Sequence, residues 1–282
     1  MKLWLVLIGC ALLAKEPLAQ RIAHSDASKY RAIRSVHAGA GELKFVGLFD
    51  ASTFSTNFIF LHRGVIPPGG GIGHHYHNHM EEMFVILDGE AEFTIDGRTS
   101  VLQGPAGAPC RMGRSHAIYN PGTKPVEWMN IAVGSIKGKY DASDLGDDRV
   151  GVAKDVKPVF INMRLDRALL RPGPGGVMTR RALTPEVFYT NWSYVDHVLV
   201  PAGGTLPAHR HEGVEEFYYV MAGAGTATVD KESASVAKGD AVPVFLNEVH
   251  SFKNTGTEPL ELMVVGVARQ KWALDTVMMG KD

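Results

Sequence analysis

The chain has 282 residues, 45% hydrophobic and 21% charged, which is enough apolar material for one large or two ordinary domains with cores of their own. A formal net charge of −1 leaves no electrostatic footprint for a phosphate backbone and argues against nucleic acid as a partner.

Lys2 and the apolar run 3–14, too short to span a bilayer and closed by Lys15, Glu16 and Pro17, read as a signal peptide over residues 1–19. Cleavage is expected after Ala14 or Ala19, the mature chain is expected to be secreted or periplasmic, and no transmembrane span is expected. Leu7, Ile8, Gly9 and Cys10 resemble a lipoprotein box, so lipid anchoring at Cys10 is the alternative. Without Cys10 only Cys110 remains, and one thiol makes no internal disulfide.

Residues 71–90, GIGHHYHNHMEEMFVILDGE, place four histidines and two glutamates in nine positions and run into an apolar strand. MFVILD, AEFTID and VEWMNIAV are short β-rich runs separated by turn signals at Asp96-Gly97 and Asn120-Pro121-Gly122. KGKYDASDLGDDRV and RPGPGG are polar and rich in Gly and Pro, and read as a connection that carries a short strand at KPVFINMRL. FYYVMA, GTATVD and LELMVVGVA then repeat the strand pattern. Many short strands without a long amphipathic helix predict an all-β chain of sandwiches or barrels. The expected domains are 43–140 and 177–272, joined by 141–176.

A shift of 134 residues lays 67–89 on 201–223 without a gap. From Phe54/Phe188 to Val133/Val267 it gives 22 identities in 80 positions, so the chain is a tandem duplication. His75, His77, Glu82 and His116 fall on His209, His211, Glu216 and His250, whereas His74 and His79 become Ala208 and Gly213. Solvated turn histidines would not repeat in this way. On a strand, residues two apart share a face, so His75 and His77 point together, and Glu82 and His116 join them from later strands. Three imidazoles and one carboxylate make a divalent transition-metal site, giving up to two ions per chain. His24, His37, His62 and His197 have no counterpart under the shift and are assigned no site. Trp128 and Trp192 are expected in the core.

Gly69-x5-His75-x-His77-x4-Glu82-x6-Gly89 and Gly203-x5-His209-x-His211-x4-Glu216-x6-Gly223 both resemble the first cupin motif at every defined position. The second motif is looser: Gly113-x2-His116-x3-Asn120 has Arg111 at its proline, and His250-x3-Asn254 has Phe245 and Asn247 at its proline and glycine. The resemblance implies a bicupin of two jelly-roll barrels, each holding one metal, with Mn or Fe favoured and Cu, Ni or Zn also compatible with these ligands. It implies reactions from germin-type oxidation and quercetinase-like dioxygenation to decarboxylation, and it includes noncatalytic storage proteins. Oxalate decarboxylases of this family place an arginine three positions before the first histidine. Here Ile72 and Leu206 stand there, and an apolar residue makes no bidentate contact with a carboxylate.

Alternation from Glu82 and Glu216 puts Phe84, Ile86, Tyr218 and Val220 on the metal-facing side as candidate pocket residues. Glu82, Glu216 and the Tyr218 phenol are the candidate proton-transfer groups. Glu81 and Glu215 have outward parity and read as structural or interface carboxylates, and Arg210 should point away from the metal. The expected function is an exported metalloenzyme, dioxygenase-like, acting on a small oxygen-rich or phenolic molecule. A metal-stabilised binding or storage module is the alternative, as is a metal-dependent isomerase, lyase or decarboxylase. The expected partner is a small-molecule substrate, with self-association into a homo-oligomer left open.

Overall fold

The computed structural model describes residues 16–280; the features read at residues 1–15, including Cys10, lie outside the described part. Each half of the chain folds into a seven-stranded and a five-stranded antiparallel sheet packed face to face. In the first half the larger sheet runs Met163–Arg164, Ala106–Cys110, Met80–Ile86, Val126–Gly134, Phe58–Ile66, Glu42–Asp50, Arg31–Arg34. Its smaller sheet runs Ser143–Asp144, Gly71–Tyr76, Ser115–Tyr119, Glu90–Ile95, Arg98–Gln103. The second half repeats this order with Asp240–Val244, Val214–Ala222, Leu260–Ala268, Trp192–Val200 and Met178–Leu183 in the large sheet, and His250–Asn254 beside Thr205–Arg210 in the small one. Among the described residues, no helix is long and apolar enough to cross a membrane.

Period-two alternation explains what holds the halves together. All seven residues of Met80–Ile86 are buried, so the strand has no solvent face. Phe84 and Ile86 pack inside the first barrel with Ile72, Phe93 and Trp128. Met83 and Val85 point the other way and join Phe58, Met129 and Ile131 against Trp192, Phe217, Tyr219, Met263 and Val265 of the second half. The two large sheets thus share one apolar core, and such strands read as continuous hydrophobic runs because both faces are covered.

The connection between the halves does more than link them. Met163–Arg164, which precedes the second barrel, pairs with Ala106 and Gly107 of the first. Reciprocally Ala23–His24, which precedes the first barrel, pairs with Asp240 and Ala241 of the second. Residues 18 and 19, expected within the signal peptide, belong to the helical turn Leu18–Arg21, and Leu18 is buried in the interior of the second barrel. Cys110 is a buried free thiol.

Two carboxylates close the interface. Glu81 accepts hydrogen bonds from the backbone N–H of Tyr189 (2.8 Å) and Thr190 (2.8 Å) and from Thr190 Oγ1 (2.5 Å). Its repeat partner Glu215 accepts from the Thr56 N–H (2.8 Å) and Ser55 Oγ (3.0 Å). Each glutamate therefore satisfies the turn that opens the opposite barrel. Replacing Glu81 with Ala leaves the buried Thr190 N–H and hydroxyl and the partly buried Tyr189 N–H without their acceptor, so Glu81→Ala should lose about 3 kcal/mol in equilibrium denaturation. Glu81→Gln, which keeps one acceptor oxygen, should lose clearly less.

Candidate metal centres

Three strands deliver the first cluster. Gly71–Tyr76 carries His75, with His77 just past its end, Met80–Ile86 carries Glu82, and Ser115–Tyr119 carries His116, which lies opposite His75 in the ladder. All four side chains are buried and offer ligand atoms within 4.8 Å of one another. Glu82 Oε2 lies 2.6 Å from His77 Nε2, 3.1 Å from His116 Nε2 and 3.5 Å from His75 Nε2. His116 Nε2 is 3.0 Å from His75 Nε2. His209, His211, Glu216 and His250 form the same buried group in the second barrel, with Glu216 Oε2 3.2 Å from His211 Nε2 and 3.1 Å from His250 Nε2.

The outer nitrogens test whether a metal fits. His75 Nδ1 contacts the Gly73 carbonyl at 2.7 Å, and His77 Nδ1 contacts the Asp141 carbonyl. In the second site His209 Nδ1 meets Pro207 O at 2.8 Å, His250 Nδ1 meets Glu248 O at 3.0 Å, and His211 Nδ1 meets Asp275 O. A carbonyl only accepts, so in a neutral ring each of these Nδ1 atoms carries the proton and each Nε2 turns a lone pair inward. His116 is the exception, with its buried Nδ1 unpartnered. His211 Nε2 is also buried and lies 3.2 Å from Glu216 Oε2 without a well-aligned hydrogen bond. Inward lone pairs beside a carboxylate are the donor set of a divalent transition metal, and both clusters fit one.

Electrostatics without an ion reflect the crowding. Burial opposes the charge on Glu82, but His77 and hydrogen bonds from His116 and His75 outweigh it and hold the carboxyl well below its ordinary range. Burial and the neighbouring His75 push His116 down to about 3, and burial with His250 pushes His209 down to about 4. His211 is also penalised by burial, yet Glu216 lifts it to about 9. In the first site His77 is thus the imidazole raised by its carboxylate while His116 is kept neutral, and in the second His211 and His209 take the same two parts.

Cupin-domain models match residues 62–132 and 196–266, together half of the chain. The chain is a cupin with two domains in tandem. An oxalate-binding protein of Thermotoga maritima is 29% identical to it over 96 residues, 34% of this chain and 79% of that one. Among solved structures, the oxalate decarboxylase of Lactobacillus farciminis in its formate complex superposes with a TM-score of 0.65 at 14% identity, over 91% of this cupin and 88% of that chain. A variant of the salicylate 1,2-dioxygenase of Pseudoaminobacter salicylatoxidans, in complex with gentisate, gives 0.68 at 14% identity over 92% and 88%. At such identities the structural likeness concerns the fold.

The two domains of this cupin differ around their glutamates. In the first, Asn130 Nδ2 donates to Glu82 Oε1, and Phe84 lies parallel to His116 with ring centroids 4.3 Å apart. In the second, Tyr194 donates to Glu216 Oε1 at 2.7 Å, while the Tyr218 hydroxyl lies 2.9 Å from both Glu216 Oε2 and His250 Nε2. Burial and the adjacent Glu216 raise both phenols well above their ordinary pKa. Arg181 lies over the Tyr194 ring and pairs with Asp196 at 2.9 Å.

A cavity of about 330 Å³ reaches Glu82 in the first domain. Its lining includes Phe45, Phe60, Ile72, Trp128 and Asn130, and also His37, His62 and Tyr140. Phe84 and Ile86 are not part of that lining and pack in the first barrel interior; Val220 packs in the second. Alternation placed all three on the inward face, but inward positions two and four residues from the glutamate are filled by neighbours. His37 and His62, left without a role by the repeat, come from outside the aligned ligand motifs. His37 stacks on His75 at 3.9 Å, adopts φ +51°, and bonds Asp144 Oδ1 at 2.5 Å and the Tyr140 hydroxyl at 3.1 Å. A departure from the repeat was the available signal for these residues. His74 bonds Ser115 Oγ at 2.8 Å outside the cluster, and Arg210 pairs with Glu212.

Each barrel supplies all four of its own ligands, so His75→Ala and His209→Ala should each lower the bound metal from two ions to one per chain, read by elemental analysis of reconstituted protein. Loss of both ions from either change would contradict independent centres.

Proposed function

We propose that this cupin is an exported, metal-dependent oxidoreductase that acts on a small phenolic or oxygen-rich molecule, with its chemistry in the first domain. The observation that carries this reading is the cavity beside Glu82, set against a second centre whose glutamate has both oxygens engaged by tyrosines. A bound divalent ion, with Mn or Fe preferred, supplies Lewis acidity and redox capacity. The chain's own residues do the rest. Phe45, Phe60 and Trp128 give ring-sized apolar walls that exclude water, Asn130 fixes the rotation of Glu82, and the Glu82 carboxylate takes the proton of a bound hydroxyl. Export rests on the basic and apolar character of residues 2–14.

A dicarboxylate such as oxalate is disfavoured because the cavity lining contains no lysine or arginine and Ile72 occupies the position of the family's carboxylate anchor. A noncatalytic binding module is the second reading, favoured by the likeness to a protein whose name describes oxalate binding.

Metal analysis followed by oxygen-uptake and product screens on the loaded protein separates the two. Conversion of a phenol with oxygen consumption supports the enzyme; tight binding of small molecules without any turnover supports the module, and vigorous turnover of oxalate overturns the substrate argument. Tyr218→Phe then tests which domain reacts, since it keeps the ring and removes only the hydroxyl. Retained turnover is expected. A fall of about 10²-fold with both metals in place would move proton transfer to the second domain.

A further inference from the structure

Two polar atoms on side chains that line the first-domain cavity have no partner: Asn130 Oδ1 and Trp128 Nε1, on residues only 6% and 1% exposed. The orientation of the amide is fixed by chemistry. The Glu82 carboxylate can only accept, so the NH₂ of Asn130 faces it and the carbonyl oxygen is the atom left over. Buried polar atoms are nearly always paired, so an unmet acceptor and an unmet donor together describe something the cavity is built to receive. Both residues sit on Val126–Gly134, two positions apart and therefore on one face of the strand.

The repeat sharpens the point. At the same offset the second domain has Leu262 and Val264, which offer no polar side-chain atom. The pair belongs to the domain with the cavity, as expected of ligand recognition and not of a requirement of the barrel. A volume of about 330 Å³ lies near the small end of ligand cavities, which start at about 300 Å³, and suits one substituted ring.

We propose that Asn130 and Trp128 recognise an uncharged ring bearing hydroxyl groups, one hydroxyl donating to Asn130 Oδ1 and an oxygen accepting from Trp128 Nε1. A carboxylate satisfies only the indole N–H and sets its charge against Asn130 Oδ1; the lining holds no lysine or arginine, so the bound ion would be its one positive partner. This inference rests on the reading that the first-domain cavity is where substrate binds.

The test is calorimetric binding to the full chain loaded with redox-silent zinc, using resorcinol, 1,3-dimethoxybenzene and benzoate. Resorcinol donates and accepts but cannot chelate one ion through both hydroxyls, the ether only accepts, and benzoate is charged. Resorcinol should bind at least about tenfold more tightly than either, because the ether and benzoate leave Asn130 Oδ1 unmet. Asn130→Val, which installs the second domain's residue, and Trp128→Phe, which keeps a ring without the N–H, should each weaken resorcinol by about tenfold with zinc still bound. Asn130→Val should also bring resorcinol and the ether to near equality. If Asn130→Val does not fold, Trp128→Phe alone decides.

Absent resorcinol binding, equal binding of the ether by the unaltered protein, preferred binding of benzoate, or folded variants that bind resorcinol unchanged would each overturn the proposal. Discriminating binding without any turnover would defeat the reaction reading and leave the recognition pair standing. Turnover of phenols without this discrimination would do the reverse.

Discussion

The contact on which both centres depend is a backbone carbonyl against the outer nitrogen of an imidazole. It fixes the ring plane and, in the neutral ring, puts the proton on Nδ1, so that the Nε2 lone pair is aimed at the centre beside a glutamate. Asp141 and Asp275, related by the same 134-residue shift, each do this twice over. Their carbonyls hold His77 and His211, and their carboxylates accept from the N–H groups of Asn78 and His79 or of Glu212 and Gly213. The chain after the last long strand of each barrel therefore completes the centre, and Ser143–Asp144 and Val277–Met278 seal it by pairing against the first-histidine strand.

The centre and the interface are coupled because one strand serves both. Glu81 and Glu82 are neighbours, one reaching across to Thr190 and the other inward to three imidazoles, and Glu215 and Glu216 repeat the arrangement. A register slip of one residue would exchange a metal ligand with an interface clamp, so apolar packing on both faces fixes the carboxylate as firmly as its hydrogen bonds do. This accounts for an interface that is a true core: Arg63, buried between the barrels, binds the Tyr219 hydroxyl at 2.8 Å and Glu127 at 2.8 Å, while His197 and Glu261 meet at 2.7 Å at the corresponding positions of the second half.

Much of this was legible in the sequence, for identifiable reasons. A duplicated chain tests its own motifs, and His75, His77, Glu82 and His116 stand out because four residue types recur at one offset while His74 does not. Strand alternation then gives each residue a face, which correctly separates Glu81 from Glu82. Alternation does not give free space, and for that reason Phe84, Ile86 and Val220 lie on the inward side yet pack within the barrels while the cavity opens elsewhere. The carbonyls of Asp141 and Asp275 were invisible for a different reason: a main-chain oxygen has the same chemistry in every residue. His37 reaches His75 from a segment before the repeated motifs, a contact that no local spacing encodes.

What the repeat conserves and what it changes divides the molecule into scaffold and specialisation. Ligands, interface glutamates and the turn asparagines are kept; Asn120 and Asn254 make the same three hydrogen bonds, to Ile66, Lys124 and Gly122 or to Val200, Glu258 and Gly256. The changes converge on the space above each glutamate. Gly47, Phe60, His62, Phe84 and Asn130 of the first domain become Arg181, Tyr194, Asp196, Tyr218 and Val264 of the second. Beyond its histidines, the carboxylate in one domain is met by a single amide beside a cavity, and in the other by two phenols under an arginine–aspartate pair. Phenols raised this far above their ordinary pKa hold their protons, so they fix Glu216 as an acceptor and leave it poorly placed to exchange a proton with a guest. Two centres with one ligand set therefore differ in what surrounds their glutamates, and on the proposed reading that difference, more than the metal ligands themselves, decides which centre can react.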